Sequence, residues 1–397
     1  MVSTVTAGER VRVWILSEDG DLLLLQCRSC SSVCPHCAVE TQTGPRCWVQ
    51  DHRRRRRAAA GTSLFFIVSP ALWGGVLLSC SLCLLCVNRR RSELLPGENR
   101  AVLITGCDSG FGHVLAQRLS QVGVQVFAGV LDVNGAGAQR LRERGSENLQ
   151  VLQLDVTDSS QVETVHSYIC SQVGRTGLWG LVNNAGILLC PANAELHPLS
   201  ACRRCLEVNF LAAVNMCQVF LPLLRQSRGR IVNMSSMAGE VPLPGFAAYG
   251  ASKAALSVFS QVMRLELAEW GVSVALIQPA GFRTNIFGNS DDIARYRDEL
   301  LSAVSSAARE DYGEAYISSL PVSLSRMSQQ TPEDLSPVVD DLCDALLSVR
   351  PRPLYTPGQM GWLLPFLHRH CPTSAFDLII SRFPKLTDCE PAGLRRT

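Results

Sequence analysis

"AVLITGCDSGFGHVLAQRLSQVGVQVFAGV", residues 101–130, decides the fold. Residues 101–104 are a short apolar run, the pattern of a buried strand. Residues 105–112 spell TGxxxGxG, and a helix-period stretch follows with apolar Val114, Leu115, Leu119 and Val122. Residues 124–130 are a second β-rich run. Strand, glycine turn, helix, strand is the unit that sets a dinucleotide on a helix N-terminus. Gly106 allows the tight turn, Gly110 lets backbone approach a pyrophosphate, and Gly112 lets the helix pack close to the sheet.

The alternation continues. "LQVLQLDVTD" (149–158) reads as a third strand ending at Asp155, with Val156 beside it to meet an adenine edge. "GLWGLVNNAGI" (177–187) ends in Asn183, Asn184, Ala185 and Gly186; "GRIVNMSS" (229–236) ends at Ser236; "GVSVALIQPAGFRTN" (271–285) leaves into a loop at Pro279. Strands alternating with helices predict an α/β fold, a single Rossmann-type domain with a doubly wound parallel sheet over residues 99–357. Ligands of such sheets sit at the carboxyl ends of the strands, where these segments converge. The candidate dinucleotide residues there are Thr105, Gly106, Ser109, Gly110, Phe111, Gly112, Asp132, Asp155, Val156, Asn183, Ala185, Gly186 and Pro279. Asp132 is the acid near the end of the second strand that would bind the adenosine ribose and repel a 2′-phosphate. No lysine or arginine occurs in residues 105–112 or 126–132, so NAD is the expected cofactor.

A helix expected over residues 247–270 carries Tyr249 and Lys253, which share a face at i and i+4. A free tyrosine, with a pKa of about 10, is a poor base at neutral pH. An adjacent ammonium is expected to pull it down toward the range of a general acid/base. Ser236, at the end of the neighbouring strand, would steady charge on the same substrate oxygen. Ser236 and Tyr249 are therefore both the expected substrate contacts and, with Lys253, the catalytic candidates.

These residues resemble the short-chain dehydrogenase/reductase family. The likeness rests on TGCDSGFG (105–112), NNAG (183–186), Asn209 in "LEVNF", Ser236 and YGASK (249–253). It implies that Asn209 holds a water linking Lys253 to solvent, that Lys253 bonds the nicotinamide ribose beside Tyr249, and that Thr284 touches the carboxamide. "FAGVLDVNGAGAQRLR" (127–142), "EDYGEAYI" (310–317) and "LYTPG" (354–358) resemble the family's membrane-anchored hydroxysteroid dehydrogenases. That resemblance implies NAD-dependent oxidation of a 17β-hydroxysteroid at the endoplasmic reticulum membrane. An 11β-hydroxysteroid or retinol as substrate, or a catalytically silent nucleotide-binding membrane protein, stays open.

Residues 64–87 form a 24-residue run without a charge, flanked by arginines at 53–57 and 89–91. About 20 apolar residues suffice to span a bilayer, so one N-terminal transmembrane helix is expected, with lipid as a partner. Residues 1–60 read as a leader without regular structure. Its two CxxC pairs in residues 27–37 are only three residues apart, too close for the usual zinc module, and no metal is expected. Nine further cysteines are scattered after residue 100 and read as free thiols. A net charge of +2 gives no reason to expect nucleic acid. Residues 285–324 are expected to cover the substrate, with Phe287, Tyr296, Tyr312 and Tyr316 as candidate lining. The tail, residues 358–397, is apolar with basic breaks and suits a membrane or a second copy in a homodimer; His368 and His370 read as solvated.

Overall fold

The computed structural model describes residues 93–395, two strands near the N-terminus, and Ser79. These strands fall in the leader that was expected to lack regular structure; apart from them and Ser79, the leader and the expected anchor at 64–87 lie outside the described residues. The two strands, β1 (Arg10–Leu16) and β2 (Leu22–Arg28), pair antiparallel and belong to a separate unit.

In residues 93–395 the chain builds a seven-stranded parallel sheet. Its strands are β3 (Ala101–Ile104), β4 (Gln125–Val130), β5 (Leu149–Gln153), β6 (Gly180–Asn183), β7 (Arg230–Met234), β8 (Ser273–Ile277) and β9 (Leu354–Tyr355). Their order is β5-β4-β3-β6-β7-β8-β9, so the direction of winding reverses between β3 and β6. The crevice above that reversal is where a doubly wound sheet takes its ligand.

Both faces of the sheet are covered, which is why its strands read as continuous apolar runs. Val102 and Ile104 face one layer, against Leu115 and Leu119 of α1 (Gly110–Gln121) and Leu342 and Leu346 of α11 (Ser336–Leu347), which lies between β8 and β9. Leu103, next along the strand, faces the other, against Ile169 of α3 (Ser159–Val173) and Phe220 of α5 (Ala212–Ser227). Helix α2 (Ala136–Arg144) links β4 to β5. Between β6 and β7, α4 (Leu199–Leu206) runs through a π-turn, Glu207–Leu211, into α5. Among the described residues this run, Leu199–Ser227, is long and apolar enough to cross a bilayer. It is a core element instead, since Met216, Cys217, Phe220 and Leu224 are fully buried.

Helix α6 (Ala247–Leu267) follows β7 and closes with a 3₁₀ turn, Ala268–Trp270, before Gly271 at φ +71°. Beyond β8 come α7 (Ser290–Ala303), α8 (Ser306–Tyr312), α9 (Glu314–Ser319) and α10 (Val322–Gln330), a helical cover in place of strands, as expected. The tail forms α12 (Leu363–His370) and α13 (Thr373–Ile380). The two-residue edge strand β9 is too short to leave a pattern in the sequence. All nine cysteines of the described sheet domain are unpaired.

Candidate active site

The loop between β3 and α1 opens onto a cavity of about 550 Å³. Gly106 is held at φ +68°, and a Cβ there would lie 2.9 Å from the Ala185 Cα. Gly112 has Asn184 Nδ2 at 2.5 Å and the Gly106 carbonyl at 2.7 Å from where its Cβ would be. The helix can approach only because both are glycine. Asn184 then ties the loop to β6, donating from Nδ2 to the carbonyls of Thr105 (2.8 Å) and Gly106 (3.0 Å). At the start of α1 the Ser109 side chain makes no capping hydrogen bond, and the first turn holds no acid. A helix start left in that state suits a phosphate group.

Of the sequence candidates, Gly106, Ser109, Gly110, Phe111, Asp155, Val156, Ala185, Gly186 and Thr284 line this cavity. Thr105 and Asn183 do not. The Thr105 hydroxyl is buried and accepts from the backbone N–H of Asn184 and Ala185, each at 3.0 Å, so it shapes the loop from behind. Asn183 points into the sheet core, donating to Asn233 Oδ1 at 2.8 Å, while Asn233 donates to Ser260 Oγ at 2.8 Å. Asp132 is turned away as well: its carboxylate accepts from the Asn134 N–H at 2.9 Å, and Leu131 rather than Asp132 lines the wall. Lining it instead, and not among the candidates, are Asp108, inside the glycine loop, and Asp292, together with Asn184 and Leu131. An acid within TGCDSGFG was the available signal for Asp108.

A second cavity, about 280 Å³, shares Phe111, Asn184, Gly186, Thr284 and Ile286 with the first. Ser236, Tyr249 and Lys253 all line it, as does Pro279. Its remaining wall is largely apolar, including Leu243, Phe246, Phe282, Phe287 and Met327. Phe287 was expected; the others carry no motif. Tyr296 lines the larger cavity, whereas Tyr312 and Tyr316 stand away from both. Their hydroxyls donate to Glu195 (3.1 Å) and Asn193 (2.7 Å), and they hold the cover together.

Lys253 is 3% exposed, and its ammonium donates to the Met234 carbonyl at 2.8 Å while standing 5.8 Å from the Tyr249 ring centre. Burial lowers the Lys253 pKa to about 8. The expected acidification of Tyr249 is not what the structure has. Burial pushes Tyr249 up to about 12, with the Ser236 hydroxyl beside it pulling weakly the other way. Desolvation penalises both charged forms, and the lysine is directed at a backbone carbonyl rather than the phenol.

Asn209 sits in the π-turn, a backbone irregularity common at functional positions. Its Oδ1 accepts from the Ile187 N–H (2.8 Å), and its Nδ2 donates to the Ile187 carbonyl (2.9 Å) and Ser252 Oγ (3.0 Å). Gly186 lies between Asn209 and Lys253: a Cβ on it would be 3.2 Å from both Asn209 Oδ1 and Lys253 Nζ.

The tail forms a wall behind Ser236. Leu364 and Phe376 are 1% exposed and pack on Val241, with Met237 and Leu243 alongside. Arg369 pairs with Glu240. His368 and His370 pack on Phe376 and Phe366, and among the described residues no cluster of metal ligands occurs.

Residues 100–293 match the family model described as short chain dehydrogenase. The mouse (Mus musculus) protein estradiol 17-beta-dehydrogenase 2 is 42% identical over 340 residues, covering 82% of this chain and 88% of that one. The chain belongs to the short-chain dehydrogenase/reductase family. It is an oxidoreductase, and the cofactor of its family is a nicotinamide dinucleotide. The human (Homo sapiens) 11-beta-hydroxysteroid dehydrogenase type 2 is 41% identical over 301 residues, 76% of this chain and 74% of that one. Among solved structures, a short-chain dehydrogenase from Streptomyces avermitilis superposes with a TM-score of 0.55 at 26% identity, covering 70% of this chain and 94% of that one.

Proposed function

We propose that this short-chain dehydrogenase oxidises a 17β-hydroxysteroid to the ketone with NAD. The observation that carries the chemistry is the convergence of Ser236, Tyr249 and Lys253 on one small apolar cavity that opens into the glycine-loop cavity. The glycine loop fits a dinucleotide: the close contacts at Gly106 and Gly112 and the uncapped start of α1 leave room and donors for its phosphates. Asp108, Asp155 and Asp292 line that cavity and no lysine or arginine does, which favours NAD over its 2′-phosphorylated form.

A bound nicotinamide supplies the hydride acceptor. The chain's own residues handle the proton and the orientation. As the phenolate, Tyr249 accepts the proton leaving the substrate hydroxyl and becomes the neutral phenol, and Ser236 donates to the same oxygen as charge develops. Lys253 supplies positive charge beneath the site, and Asn209 fixes the Ile187 backbone next to Gly186. A phenol at about 12 needs that help: with cofactor and substrate in place, the Lys253 ammonium has to turn from Met234 toward the site.

The steroid assignment is supported by the named activities of the relatives and by the apolar wall around Ser236. At about 280 Å³ the cavity is near the lower end of ligand sites, generally about 300–1,000 Å³, which suits a compact, rigid ligand. Residues 64–87 are read as a single bilayer anchor at the endoplasmic reticulum, residues 99–357 as the catalytic domain, and 358–397 as a tail that completes it. The test is NADH fluorescence from membranes containing the full chain, given 17β-hydroxysteroids, 11β-hydroxysteroids and retinol with NAD. Tyr249→Phe is expected to lower kcat by about 10²- to 10⁴-fold while NAD binding persists. Turnover by the phenylalanine variant at the native rate would remove Tyr249 from the mechanism, and faster 11β oxidation would correct the substrate.

A further inference from the structure

The side chain best placed to reject a 2′-phosphate is not the acid after the second strand. Both carboxylate oxygens of Asp108 accept from the Leu131 N–H at 3.0 Å, and one also accepts from the Asp132 N–H at 3.4 Å. These are the first backbone donors beyond β4, the place where a dinucleotide's adenosine ribose meets the sheet. The turn around them is pinned. Gln153 Nε2 donates to the Leu131 carbonyl at 2.6 Å, and its Oε1 accepts from the Val133 N–H at 3.1 Å. The backbone of Asp108 is pressed by the start of α2, since a Cβ on Gly137 would fall 2.1 Å from the Asp108 carbonyl oxygen. Asp132, by contrast, bonds its own turn and does not line the cavity.

We infer that Asp108 is the residue that discriminates NAD from NADP: it occupies the amides that a 2′-phosphate would need and sets a negative charge against it. This rests on the proposed use of NAD. Discrimination by a repelling group is effective because the favoured ligand, with a hydroxyl there, meets an acceptor instead. An acid in the glycine loop acting on the end of the next strand gives the same selectivity as an acid on that strand, from the opposite wall of the ribose site.

The test uses the full chain in detergent with Asp108→Asn, Asp132→Asn and Leu131→Lys. Asp108→Asn keeps an acceptor for the amides and removes the charge. Leu131→Lys, at a side chain 61% exposed, adds an opposing charge without touching Asp108. Two readouts are taken: the rise in thermal midpoint with NAD or NADP, which needs no turnover, and the ratio of kcat/KM for the two. In Asp108→Asn the NADP-to-NAD ratio is expected to rise about 10- to 100-fold, with NADP protection against heat appearing in parallel. Leu131→Lys is expected to move it the same way, and Asp132→Asn to leave it within about twofold. An unchanged ratio in folded Asp108→Asn overturns the inference, as does a large rise in Asp132→Asn. If Asp108→Asn does not fold, an unchanged ratio in Leu131→Lys does so instead. A wild-type chain that already prefers NADP would sink the proposed cofactor itself, a separate outcome.

Discussion

Replacing Lys253 by methionine is expected to destroy turnover and yet make the cofactor-free protein more stable at neutral pH. The side chain is 3% exposed, and burial takes its pKa from 10.5 to about 8. At about 1.4 kcal/mol for each pH unit, holding the buried charge costs about 3 kcal/mol. Methionine has similar length and no charge, but it leaves the Met234 carbonyl without its donor, a loss of about 1 kcal/mol. The net gain is about 1–2 kcal/mol, or roughly 2–4 °C in thermal midpoint for a domain of this size. The pH dependence identifies the cause. Below pH 8 folded and unfolded chains both hold the proton, so the burial penalty stands in full. From pH 8 to 10.5 the folded chain has released it while the unfolded chain still holds it, so wild-type stability rises with pH through that window. Lys253→Met lacks this rise. Its advantage should therefore shrink from pH 8 upward and reverse by about one kcal/mol near 10.5. Circular dichroism melts of both proteins from pH 7 to 10.5, without dinucleotide, measure it. A variant less stable than wild type at pH 7, or a difference flat across the window, would refute the reasoning.

Gly186→Ala sets a methyl 3.2 Å from both Asn209 Oδ1 and Lys253 Nζ. The lysine end yields first, so kcat should fall at least about tenfold for a stability loss of about 1–3 kcal/mol; unchanged kcat would show that the Asn209–Gly186–Lys253 packing is irrelevant to turnover. If residues 64–87 anchor the chain, the full protein should stay with membranes through alkaline carbonate extraction and a form lacking those residues should be released. Release of both would dismiss the anchor.

Six of the seven sheet strands could be read from the sequence because each is an apolar or alternating run ending near glycine, aspartate, asparagine, serine or proline. Burial on both faces makes such strands conspicuous. The candidate catalytic residues were legible for a related reason: Ser236 and Tyr249 stand at strand and helix positions whose register fixes their direction. What the sequence hid were directions within irregular backbone. Asn183 and Asn184 are adjacent and identical in type, yet one enters the core and the other holds the glycine loop. Asp132 bonds its own turn, and Asp108, which the sequence did not single out, accepts from the amide that follows β4. Met327 and Phe246 reach the cavity from loops and helices that carry no periodic relation to it. The acidity of Tyr249 could not be read from a spacing of four residues, since the burial of both groups sets it.

The wall behind Ser236 has a consequence for how the enzyme comes into being. Leu364, Phe376 and Arg369 are translated more than a hundred residues after the loop they brace. A nascent chain can lay down the nucleotide half and most of the sheet before it has made the residues that back the cavity behind Ser236. Any product ending before α12 would keep the fold's signature motifs and lack the wall behind Ser236.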